Sequence, residues 1–102
     1  MKKLFISQPM NGRTNEEIER VREKAIKSAM EHLGEEVEVI DSFFKDAPHV
    51  VNPLCYLGRS IELMSKADAV FFAKGWEGAR GCRIEYTCAI EYGITVIEDY
   101  SN

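Results

Sequence analysis

Residues 67–93 read ADAVFFAKGWEGARGCRIEYTCAIEYG, and their reading decides the fold. ADAVFFA is a short, nearly unbroken apolar run, as expected of a strand buried on both faces. Glycines 75 and 78 mark a turn. Residues 79–92 then repeat their apolar side chains at helical spacing, and Gly93 supplies the stop. ITVIE, residues 94–98, is a further strand-like run. Strand, helix and strand in close succession make a βαβ unit, which requires a parallel sheet.

The same alternation extends toward the amino terminus. Leu4, Phe5 and Ile6 form an apolar run that ends in SQPMNGR, residues 7–13, where Pro9 and Gly12 signal a turn. Thr14 precedes Glu17 by three residues in a capping-box pattern. The helix it opens carries Ile18, Val21, Ala25, Ile26, Ala29, Met30 and Leu33 at 3.6-residue spacing and ends at Gly34. Residues 37–40 read as a strand, followed by Asp41, and residues 42–51 as a loop. Asn52 and Pro53 supply a cap and a first-turn proline for a helix with Leu54, Leu57, Ile61 and Met64 directed inward.

The predicted order is therefore βαβαβαβ. Right-handed crossovers then give a three-layer α/β domain, flavodoxin-like or Rossmann-like. Its four-stranded parallel sheet has the order 2-1-3-4, with helices on both faces. One domain spans residues 1–102. In such sheets ligands bind at the carboxyl ends of the strands where the strand order reverses, here between strands 1 and 3. The loops expected to meet there are SQPMNGR and KGWEGARG, residues 7–13 and 74–81.

Composition sets the outer bounds. A chain of 102 residues, 45% hydrophobic and 29% charged, buries roughly two-thirds of its surface on folding. A net charge of −4, with basic residues scattered among acids, disfavours a nucleic-acid binder. Cys55, Cys82 and Cys88 are odd in number and lack CxxC spacing, against a disulfide framework or zinc site and in keeping with a reducing compartment. The first apolar run is too short for a signal-peptide core. No membrane span is in view, so a cytoplasmic protein is expected, without metal or cofactor.

One residue breaks the helical pattern of 79–92. On a helical wheel Gly81, Cys82, Glu85, Cys88, Ala89 and Tyr92 share one arc, with Glu85 near its centre. Burying an unpaired carboxylate is costly, and desolvation raises its pKa. Such acids serve as nucleophiles or general acids, or else cap a backbone group or pair with an arginine. Ile84, Tyr86 and Ile90 lie outside the arc, so the helix is apolar over most of its circumference. A subunit interface is expected there, in a homodimer or higher homo-oligomer.

Further candidates line the expected crevice. Gly12 and Arg13 precede a helix, where backbone N–H groups favour an anion, and Arg13 either grips a phosphate or carboxylate or stands in solvent as a turn residue. Trp76 stacks on a nucleobase or packs its own loop. Ser7 and Gln8 are placed to orient a ligand by hydrogen bonds, and Asp41 and Asn52 are weaker candidates for sugar hydroxyls. Asp68, at the amino end of its strand, is a cap or turn residue. His32 and His49 match no metal or triad spacing.

Together LFISQPMNGR (4–13) and residues 67–93, with their Gly-x-x-x-Glu-x-x-x-Ala helix, resemble the nucleoside 2-deoxyribosyltransferase-like superfamily, which includes deoxynucleoside 5'-monophosphate N-glycosidases. The resemblance implies that Glu85 is the nucleophile at the anomeric carbon, that Gly81 and Ala89 are its small neighbours and that Arg13 holds a 5'-phosphate. Loop position and resemblance together give an expected substrate-binding set of Ser7, Gln8, Gly12, Arg13, Gly75, Trp76 and Gly81. Two family acids are replaced: Ser60 stands eight residues before Asp68, and Ala79 six before Glu85. Glu62 and Glu77 are the possible auxiliary acids. At 102 residues the chain is shorter than typical members and is expected to lack most of the tail that completes a neighbour's site.

Three functions follow as expectations. The first is cleavage or base exchange of the N-glycosidic bond in a deoxynucleoside or its 5'-monophosphate. The second is a binding module that senses or sequesters a nucleotide without turnover. The third is an interaction domain using the apolar helix as its partner surface.

Overall fold

A computed structural model describes residues 1–9, 12–41 and 52–99. The loop expected over residues 42–51, His49 within it, and positions 10 and 11 of SQPMNGR lie outside the described residues.

Four strands, β1 (Lys2–Ser7), β2 (Val37–Val39), β3 (Ala69–Phe72) and β4 (Thr95–Glu98), form one sheet of order β2-β1-β3-β4. Every pairing is parallel. The helices α1 (Asn15–Leu33), α2 (Pro53–Met64) and α3 (Arg80–Glu91) alternate with them, and a single 3-10 turn, Trp76–Gly78, precedes α3. The expected three-layer α/β architecture is the one observed.

Strand alternation explains the layers. Leu4, Ile6, Ala69, Phe71 and Ile97 point to one face, where Ala25 and Ala29 of α1 cover them. Phe5, Val70 and Phe72 point to the other, against Met64 of α2 and Ala89 of α3. Phe5, Phe71 and Phe72 are fully buried, each contributing about 1.5–3 kcal/mol by leaving water. Such runs, apolar on both faces, are what a sheet covered on both sides demands.

The caps behave as their residue types require. Thr14 Oγ1 accepts from Glu17 N at 3.1 Å, and Asn52 Oδ1 accepts from Cys55 N at 3.1 Å, each satisfying a helix N–H that has no partner within its helix. Gly34 closes α1 with φ +71°. Asp68 Oδ2 accepts from Lys3 N at 2.7 Å and Asp68 N donates to Lys3 O at 2.8 Å. It thus ties the amino ends of β1 and β3 and stays away from the carboxyl edge.

Some expectations about packing fail. Leu54 is 75% exposed, because it sits in the first turn of α2, whose buried end is Met64. Tyr92 is 84% exposed, since α3 ends at Glu91 and the chain turns before Tyr92 can follow the buried arc. Met30 also lies more exposed than its place in the α1 stripe implies. Ile84 and Ile90 flank the buried side of α3 and are exposed on this single chain. Among the described residues no helix is long and apolar enough to cross a membrane.

Candidate functional site

The site begins with the direction of one strand residue. Ser7 follows Phe5 at an interval of two, so both side chains point toward the α2 and α3 layer. Phe5 is spent in the core. Ser7, the last residue of β1, is buried at 2% exposure and registers with Phe72, the last residue of β3. Ala73 N donates to Ser7 O at 2.9 Å, fixing the carboxyl ends of the two strands side by side where the strand order reverses.

Beyond β3 the backbone must turn sharply. Gly75 adopts φ +90°, a conformation that costs a residue with Cβ about 1–2 kcal/mol. A Cβ built there would lie 3.8 Å from both Arg13 Nη2 and Pro9 Cγ. The two expected loops therefore do meet, and Arg13 lies across Gly75 with its side chain exposed. Gly12, at φ +74°, turns the chain into α1 beside it.

The 3-10 turn is fastened to α3. Trp76 stacks on Tyr86 with centroids 4.3 Å apart and planes 15° from parallel, and Phe72 meets Tyr86 edge-on at 5.1 Å. Arg83 Nη1 donates to Glu77 O at 2.8 Å. One face of the Trp76 ring is thus committed to packing its own loop. Its partner Tyr86 was legible as a helix position but not as a ring beside Trp76, because that contact depends on how far the loop folds back.

Glu85 lies one helical turn beyond Cys82, and both are buried together with Ala89. Ser7 Oγ donates to Glu85 Oε1 at 2.7 Å. Burial pushes the Glu85 carboxyl up to about 7, while the Ser7 hydrogen bond pulls it down. Burial also raises the Cys82 thiol; the Ser7 hydroxyl lowers it and the charge on Glu85 raises it. Among the described residues no ion pair involves Glu85, so it does not pair with an arginine there. Its partner is a neutral hydroxyl, which steadies the carboxylate without quenching it.

The other expected residues divide. Gln8 is buried beside Ser7, and Gly81 sits in the first turn of α3. Glu62 on α2 and Glu77 in the 3-10 turn are exposed, and neither contributes to the raised pKa of Glu85. Asn52 is occupied as the α2 cap. Asp41 stands exposed after β2. Cys55, Cys82 and Cys88 are all free thiols.

Two substitutions probe this arrangement. Ser7→Ala removes the hydrogen bond that lowers the Glu85 carboxyl, so its titration midpoint moves above about 7, read by carbon NMR of the labelled side chain. Above that midpoint the variant loses about 1–3 kcal/mol, the cost of an ionised buried group without its donor. Gly81→Ala is expected to do the reverse. A Cβ there meets only Leu57 Cδ1 at 3.9 Å, an ordinary contact, and alanine exceeds glycine in helix propensity by up to about 1 kcal/mol. Unfolding in urea should show equal or greater stability; a loss would mean that α3 and α2 pack more tightly than this.

Fold and site together define an open α/β domain with a buried, hydrogen-bonded carboxylate at the point where its strand order reverses. The chain belongs to the family described as Domain of unknown function (DUF4406), which it matches over residues 2–98. No curated protein and no solved structure matches it.

Proposed function

We propose that the protein cleaves or exchanges the N-glycosidic bond of a deoxynucleoside or deoxynucleoside 5'-monophosphate, with Glu85 as nucleophile. The observation that carries this reading is the buried Glu85 carboxylate, held by Ser7 at 2.7 Å beside the meeting point of the β1 and β3 loops. A Glu85 oxygen bonds to the anomeric carbon as the carbon–nitrogen bond breaks, and the base departs with the electron pair and acquires a proton. Water or a second base then displaces the carboxylate, giving net retention at the sugar. Arg13, against Gly75, favours a substrate carrying a 5'-phosphate. Gln8, Gly12, Gly75, Trp76 and Gly81 complete the substrate-binding set, with Glu77 and Glu62 as auxiliary acids.

A panel of deoxynucleosides and their monophosphates, followed by chromatography of free base, tests the reading. Base release from at least one, stronger for a monophosphate and weakened by Arg13→Ala, is expected. A folded protein that releases no base from any of them sinks it. The exposure of Glu62 and Glu77 supports a second reading, a nucleotide-binding module without turnover. Under that reading a monophosphate raises the Tm of the wild type and of Glu85→Gln alike.

The exposed Ile84, Ile90 and Leu54 support a homo-oligomer built on the α2 and α3 layer. Light scattering that finds only monomer at high concentration removes that part of the reading.

A further inference from the structure

The strand that turns Ser7 toward Glu85 turns its next residue the other way. Ile6 packs on the α1 side of the sheet, Ser7 meets Glu85 of α3, and Gln8 turns back toward α1. The bond from Ala73 N to Ser7 O at 2.9 Å carries the strand ladder up to this point. Gln8 is only 8% exposed, yet among the described residues no hydrogen bond holds its carboxamide. Every side-chain oxygen and nitrogen sealed from solvent there has a partner, so the amide end of Gln8 reaches the surface of the crevice. The two oxygens of Glu85 differ in the same way: Oε1 is held by Ser7 at 2.7 Å, while Oε2 reaches the surface. Two enclosed side chains thus present polar ends on opposite sides of the end of β1.

We propose that Gln8 is a catalytic residue that meets the departing base, donating an N–H of its carboxamide to an acceptor atom of that base. The proposal rests on Glu85 being the nucleophile. Displacement at the anomeric carbon sets nucleophile and leaving group on opposite faces of the sugar. Glu85 Oε2 forms its bond from the α3 side, so the carbon–nitrogen bond breaks toward the α1 side, the side to which Gln8 turns. The electron pair of that bond goes to the base, whose ring nitrogens and carbonyl oxygens become stronger acceptors as the bond lengthens. A donor already fixed in place then stabilises the transition state more than the ground state. An amide does not surrender its proton, so the proton that the base acquires comes from solvent. Gln8 lowers the charge on the base until that proton arrives.

Two leaving groups test it on the full chain. Release of base from deoxynucleoside 5'-monophosphates is compared with release of 4-nitrophenolate from the 5'-phosphate of its 2-deoxyriboside, a leaving group that departs without help. Gln8→Met keeps the length of the side chain and removes the amide. Its kcat for the natural bases is expected to fall on the order of 10²-fold, while its kcat for nitrophenolate stays nearly unchanged. Glu85→Gln lowers both. Gln8→Glu, which keeps the shape and puts a carboxylate in place of the N–H donor, shows the same split and serves if Gln8→Met does not fold. An equal fall on both substrates means that Gln8 supports the fold alone and overturns the proposal, as does an unchanged release of natural base. Either result in an active wild type leaves the glycosidase reading standing. A wild type that releases neither leaving group removes that reading and this proposal with it.

Discussion

On the proposed mechanism, Glu85→Gln is expected to leave a folded protein whose release of base from its best substrate falls on the order of 10³-fold or more. Glutamine preserves the shape and offers Ser7 an amide oxygen in place of Oε1, so the hydrogen bond at 2.7 Å has a successor. It supplies neither a nucleophile nor a negative charge beside the developing oxocarbenium ion. Those two losses act on the transition state and not on ground-state binding, so kcat should fall while KM changes little. The wild-type profile carries a second mark. On the proposed mechanism only the ionised carboxylate attacks, and burial raises its pKa to about 7; kcat/KM is therefore expected to rise about tenfold per pH unit on the acidic side and to level above that value. Mass spectrometry of acid-quenched wild type should find the sugar attached to Glu85 and find nothing on the variant. Equal rates for the two proteins would remove Glu85 from the chemistry altogether.

The fold was legible because periodicity, read together with caps and glycine stops, distinguishes its elements. AVFF within ADAVFFA is buried at every position, a pattern that only a sheet covered on both faces produces, and the alternation of strands with helices then leaves few topologies. Glu85 was legible as an anomaly because a wheel reports which residues share a face. What a wheel cannot report is where the neighbouring element stops, and so Leu54 and Tyr92, in phase with their stripes, stand in solvent. The Ser7 contact spans 78 positions of chain and depends on strand register and helix depth together, quantities that no local pattern encodes. Trp76 shows the same limit: both of its readings fit the sequence, and the 4.3 Å stack on Tyr86 favours loop packing for at least one ring face.

The raised carboxyl also makes a stability prediction independent of any substrate. An ordinary glutamate ionises near 4.5, whereas folded Glu85 keeps its proton to about 7. Between those values the native state binds one more proton than the unfolded chain, so the free energy of unfolding falls as pH rises. The full stabilisation is present below the unfolded value and is lost by the time pH passes the folded one. A difference of 2.5 between the two corresponds to about 3 kcal/mol, a large share of the stability of so small a domain. Other groups titrate over the same range, so the quantity to measure is the difference between wild type and Glu85→Gln in urea unfolding across pH 4 to 8. Wild type should lose about 3 kcal/mol relative to the variant across that window; a flat difference would mean that the carboxyl is solvated. Loss of stability coincides with gain of the charged form, because both follow from holding one carboxylate away from water with a single hydroxyl to steady it. A ligand that binds only the ionised state should restore part of the loss, and more of it at pH 8 than at pH 5.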